Sequence, residues 1–141
     1  MRRRHVLLAP LTLLLARGTR ADTFGASGIT IDRPWAKPSV AEAAAVFMAL
    51  MNDGPRADRL VGGTTPIAAD VFLREIDGSP LEFYDLEPGR SVVLKPGRRY
   101  IALRGLKRIL AVDDRFPLTL EFAEAPPLEI SVVVAEGLDD T

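Results

Sequence analysis

Short apolar runs of strand length recur along the chain, and each is closed by residues that preset or permit turn dihedrals. Residues 29–31 (ITI) alternate ahead of Arg33-Pro34, and residues 43–51 (AAAVFMALM) end at Asn52-Asp53-Gly54-Pro55. Residues 59–61 precede Gly62-Gly63, and residues 69–76 (ADVFLREI) precede Asp77-Gly78-Ser79-Pro80. Runs at 81–84, 91–94 and 99–104 are separated by Pro88-Gly89 and Pro96-Gly97, and 116–122 (FPLTLEF) and 128–134 (LEISVVV) complete the series. Leu118, Leu120 and Phe122 share one face at period two, as do Ile130, Val132 and Val134, which predicts half-buried strands. The alanine-rich stretch 40–51 fits helix or strand by its own pattern, and its neighbours favour strand. Eight or nine short strands at this spacing predict an all-β antiparallel sandwich or barrel. No repeat, linker or low-complexity block interrupts it.

The first segment departs from this pattern. Arg2, Arg3 and Arg4 precede an apolar run at 6–16 (VLLAPLTLLLA), and Thr19-Arg20-Ala21 offers small residues at alternate positions. This is the layout of a cleavable signal peptide over residues 1–21, leaving a single domain over 22–141 and an exported or periplasmic protein. The apolar run falls short of the roughly 20 residues a spanning helix needs, so no membrane anchor is expected after cleavage. Arg3-Arg4-His5-Val6-Leu7 fits a loose twin-arginine pattern that does not choose an export route.

Removing residues 1–21 leaves 13 basic against 19 acidic residues, a formal charge of −6. So acidic a domain lacks the basic footprint that nucleic acid needs. The chain has no cysteine, and its one histidine, His5, lies in the signal segment. Disulfides, thiolate metal sites and Ser-His or Cys-His nucleophiles are therefore excluded from the processed domain. No carboxylate pair marks a hydrolytic cleft, and a non-enzymatic protein is expected.

The order of several segments resembles the PCu(A)C-type periplasmic copper chaperones. Ile29-Thr30-Ile31-Asp32-Arg33-Pro34-Trp35-Ala36 looks like their opening strand, and Ala45-Val46-Phe47-Met48 with Asn52 looks like the next. Asp58-Arg59-Leu60-Val61-Gly62, Leu94-Lys95-Pro96-Gly97, Gly105-Leu106-Lys107 and Phe116-Pro117-Leu118-Thr119-Leu120 follow in register. The likeness spans about residues 29–134. It implies a cupredoxin-like Greek-key β-sandwich, monomeric, that carries Cu(I) or Cu(II) towards cytochrome oxidase assembly.

Copper(I) prefers thioether sulfur and imidazole nitrogen, and the resembled family supplies histidines and methionines on neighbouring strands. Carried over position by position, its first histidine falls on Arg74 and a methionine falls near Phe83. Its closing His-x-Met falls on Tyr100 and Ala102. Arginine is always protonated and offers donors only. At about 4 Å its charge would oppose a copper cation by several kcal/mol at intermediate dielectric. No copper or other cofactor is therefore expected.

Other residues carry alternative chemistry. Arg74, Arg98, Arg99 and Arg104, with Tyr100, could present guanidinium forks to a small anion or an acidic protein partner. More commonly, such residues are sheet-face charges paired with carboxylates such as Glu75, Glu82 or Asp85 across strands, each pair worth little. Met48 and Met51 are the only sulfur atoms left after processing. They offer a minimal thioether pair or, more commonly for methionine, fill gaps in the core. Trp35 reads as a packing anchor. Asp113-Asp114 and Asp139-Asp140 lack the spacing of a calcium loop.

Overall fold

The alternation at 116–122 and 128–134 becomes the two inner strands of one core. Phe116, Leu118, Leu120 and Phe122 point inward from β10 (Arg115–Phe122), and Ile130, Val132 and Val134 from β11 (Leu128–Val134). In this computed structural model residues 23–137 are described. The expected signal segment 1–21 with His5, and the acidic end with Asp139 and Asp140, lie outside the described residues.

The remaining strands are β1 (Thr23–Ala26), β2 (Ile29–Ala36), β3 (Ala43–Asn52), β4 (Asp58–Thr64), β5 (Ala68–Arg74), β6 (Pro80–Leu81), β7 (Tyr84–Leu86), β8 (Ser91–Leu94) and β9 (Tyr100–Leu106). Among the described residues there is no helix, and the ambiguous alanine-rich stretch is strand β3. Val46, Met48 and Leu50 face the core from it while β2, β8 and β9 bond its edges. That tertiary pairing outweighs alanine's helical preference. The strand segments exceed the eight or nine expected because the run at 81–84 divides between β6 and β7 and β1 precedes the first predicted strand.

Hydrogen bonding runs in the order β6-β5-β9-β3-β2-β11-β10-β4-β7, with β1 on β2 and β8 on the second half of β3. Every pairing is antiparallel except β11 with β2. The sheet curls until its two ends close over one core, the all-β sandwich or barrel that the strand pattern predicts and the family resemblance implies.

A bulge in β2 shapes the outer surface. Asp32 opposes Ala49 and Trp35 opposes Phe47, so β2 carries one extra residue there. Arg33 absorbs it at φ 52°, and Pro34 sits where no ladder donor is needed. The indole of Trp35 then packs on Phe47, ring centroids 4.9 Å apart, on the side of β3 facing away from the main core.

Two buried polar side chains hold the loops at one end. Asn52 donates to the carbonyls of Arg56 and Leu86 and accepts the Gly54 N–H. Asp58, 8% exposed, accepts N–H groups from Arg59, Glu124 and Ala125 at 2.8–2.9 Å. Removing its carboxylate strands three donors. Asp58→Ala is therefore expected to lower unfolding free energy by about 2–4 kcal/mol, with a smaller loss for Asp58→Asn. Urea midpoints read this, and an unshifted Asp58→Ala midpoint would show that water replaces the carboxylate without cost.

Candidate functional site

Three of the four positions singled out for metal chemistry, Arg74, Tyr100 and Ala102, fall on two strands that pair directly, and Phe83 does not. Arg74 of β5 opposes Tyr100 of β9, Phe72 opposes Ala102, and Asp70 opposes Arg104. Opposed residues project to the same side, and residues two apart share a face, so these six form one strip on the outside of the sheet. Ala102 is buried in it, Arg74 and Tyr100 are half-buried, and Phe72 is 41% exposed. The Arg74 guanidinium carbon lies 5.1 Å from the Phe72 ring centre, within cation–π range. On the other flank β9 pairs with β3, where Ala45 opposes Ala102 and Ala43 opposes Arg104. Small side chains there leave the strip open.

Other candidates separate from this strip. Phe83, the most loosely aligned position, carries the Arg59 guanidinium 4.2 Å above its ring and belongs with the β4·β7 pair. Arg99 lies one residue out of phase, pairs with Glu75 at 3.3 Å and stands 5.4 Å from the Tyr84 ring centre. Arg98 is exposed in the turn after Pro96-Gly97. Glu82 forms no ion pair among the described residues, and Asp85 pairs with Arg59. Met48 is buried opposite Leu94, whereas Met51 opposes Ser91 and accepts its hydroxyl at 3.6 Å. Three strand residues put the two sulfurs on opposite faces with backbones about 10 Å apart, so they do not converge on an ion. Asp114 accepts the Ala111 N–H and pairs with Arg108, and Asp113 sits in a turn at φ 79°.

Sequence reasoning missed the residue that fixes the strip, Tyr84. Its ring is buried, and its hydroxyl accepts the Arg74 N–H at 3.1 Å. The same oxygen lies 2.8 Å from the Arg74 carbonyl and 2.7 Å from the Tyr100 carbonyl, to one of which it donates. One phenol on β7 thus ties β5 to β9 where Arg74 meets Tyr100. The available signal was a tyrosine in an apolar run, whose hydroxyl needs a partner once buried.

The donor set decides what the strip can hold. It offers guanidiniums, a phenol, a carboxylate, an aromatic ring and a methyl group, with no imidazole and no thioether. Among the described residues no three His, Cys, Asp or Glu side chains cluster as metal ligands. None of these is the imidazole or thioether that soft copper prefers, and Arg74 sets a fixed positive charge at one end of the strip.

The fold is that of PCuAC domains. The apo PCuAC domain from PmoF1 superposes with a TM-score of 0.76 at 20% identity, covering 82% of this chain and 99% of that domain. The copper-bound PCuAC domain from PmoF2 gives 0.76 at 22%, covering 82% and 98%. The Cu(I) form of DR1885 from Deinococcus radiodurans gives 0.65 at 22%, covering 89% and 88%. The chain belongs to the LpqE-like family, described as "Putative lipoprotein LpqE-like", which matches residues 29–134. It is also 25% identical over 119 residues to "Putative lipoprotein Lxx21020" of Leifsonia xyli subsp. xyli (strain CTCB07), covering 79% of this chain and 72% of that protein.

Burial raises the Tyr84 phenol from its ordinary 10.0 to about 12. The folded state therefore holds this proton more tightly than the unfolded state. Its contribution is complete below pH 10 and is lost as pH rises through about 12, amounting to about 3 kcal/mol. Tyr84→Phe should be destabilised by about 1–3 kcal/mol at pH 7 and show a flatter decline above pH 10. Chemical unfolding at stepped pH measures both, and parallel pH profiles for the two proteins would refute the clamp.

Proposed function

We propose that this protein is an exported, non-enzymatic binding module of the copper-chaperone fold whose β5·β9 strip recognises an acidic segment of a protein partner in place of copper. The observation that carries this reading is the direct opposition of Arg74 and Tyr100. These are positions that the PCu(A)C resemblance gives to copper ligands. The first histidine position is now a permanent cation, and the closing His-x-Met positions are a phenol and a methyl.

Spacing favours an extended partner over a single small anion. Arg74 and Arg104 lie at the two ends of the strip, about 13 Å apart along the strand direction, with Phe72 and Ala102 between them. One carboxylate cannot engage both forks, whereas a short acidic peptide can span them and lay an apolar residue on Phe72. Asp70 opposite Arg104 weakens that end and leaves Arg74 the stronger anchor. The domain's formal charge of −6 opposes approach only over roughly 8 Å at physiological salt, so contact charge governs.

Export is supported by the arginine-led apolar start and by relatives described as lipoproteins. The same start supports a boundary after Ala21. Among the described residues no helix is long and apolar enough to cross a membrane.

Two measurements test the reading on the chain from residue 22 onward. Arg74→His combined with Tyr100→His and Ala102→Met should gain Cu(I) affinity by about tenfold or more over the parent in competition with a chromogenic chelator. Stoichiometric, sub-micromolar loading of the parent would refute the loss of copper. In parallel, a hexaglutamate peptide should bind the parent and lose about tenfold in affinity with Arg74→Glu, while citrate binds weakly to both. Equal peptide binding by the two proteins would remove the acidic-partner reading.

A further inference from the structure

A second surface, on the same outer side of the sheet but away from the β5·β9 strip, has the form of a small-molecule site. Asp32 of β2, Ala49 of β3 and Val93 of β8 stand in one cross-strand row. The middle residue is the smallest, so the row is hollow at its centre. Trp35, displaced by the β2 bulge, closes one end, and Pro96 adds to the wall. The hollow measures about 470 Å³ and opens to solvent, within the size range of small organic ligand sites.

Its chemistry is divided. The floor and walls are apolar through Ala49, Val93, Trp35 and Pro96, while Arg33, Lys37 and Lys95 stand at the rim. Among the described residues none of these three cations forms an ion pair. Asp32 and Glu136 are the opposing charges, and the Asp32 carboxylate already accepts the Thr23 hydroxyl at 3.1 Å. Trp35 is 7% exposed and lines the groove, and its indole N–H makes no hydrogen bond to a described residue, so a ligand or water can accept it. Arg33 at φ 52° adds a strained cation at the mouth.

We infer that this groove binds a small amphipathic organic anion, its apolar part over Ala49 and Val93 and its anionic head towards Lys37, Lys95 and the Trp35 N–H. A purely apolar ligand would leave the rim cations and the indole donor unused. A purely ionic ligand would leave the hollow empty. The inference does not depend on what occupies the β5·β9 strip.

Trp35 is the only tryptophan in the chain, so its emission reports on the groove alone. Decanoate serves as the probe, with decanol and acetate as its tail and head separately. The full-length chain should give a saturable change in Trp35 emission with decanoate, at least about tenfold tighter than with either fragment. Ala49→Phe fills the hollow and should weaken decanoate by about tenfold, and Lys95→Glu, on an exposed turn, should weaken it similarly while leaving decanol unchanged. Glu136→Gln should tighten it. Arg74→Glu should leave it unaltered, which separates this site from the strip. Overturning results are no saturable response, decanoate affinity in both groove variants equal to the parent's, or decanol binding as tightly as decanoate. So is co-sedimentation with anionic phospholipid vesicles that decanoate does not reverse, which would make the surface a membrane contact.

Discussion

The pairing of β5 with β9 is the constraint on which the outer face depends, and the Tyr84 hydroxyl secures it. A strand pair can slip by one residue, and such a slip turns every side chain to the opposite side. Here Arg74 and Tyr100 would then turn into the core and Leu73 and Ile101, now buried, would face water. Burial of Leu73 and Ile101 resists that exchange from within. Tyr84 adds a directional lock, because its single oxygen fits the Arg74 N–H and both carbonyls only in the observed register. The phenol comes from β7, at the other end of the hydrogen-bonded path. The same contact therefore helps close the curled sheet.

With the backbone frame fixed in this way, chemistry on the outer face is free to change without disturbing the core. Arg74, Tyr100, Ala102 and Arg104 project away from Leu73, Ile101 and Leu103, so exchanging a soft donor for a guanidinium costs the interior nothing. The solved PCuAC domains share this frame at 20–22% identity. A fold held by inward-facing alternation and a few buried polar clamps leaves its outer face free to vary.

The inner alternation was readable in advance because a strand repeats every two residues and only one side meets the core. Phe116, Leu118, Leu120 and Phe122, and Ile130, Val132 and Val134, lie where that repeat puts them. Stretch 40–51 was ambiguous because alanine suits a helix and Val46, Phe47 and Leu50 fit either period. Only pairing on both edges of β3 settles it. The juxtaposition of Arg74 with Tyr100 was reached through family resemblance rather than periodicity, since 25 intervening residues carry no local signal of register. Tyr84, Asn52 and Asp58 were passed over because each looks like an ordinary run or turn residue until the atoms it satisfies come from distant segments.

The amino-acid order by itself determined the all-β class, the inward faces of β10 and β11, and the lack of imidazole and thiol in the domain after residue 21. These are properties of composition and short-range period, which need no partner strand to be legible. Tertiary structure alone decided that Arg99 leaves the arginine face for Glu75, that Met48 and Met51 stand on opposite sides of β3, and that a bulge at Arg33 swings Trp35 to the end of a hollow over Ala49. Each of these depends on register between segments far apart in the chain, and register is set by the packing of the whole core.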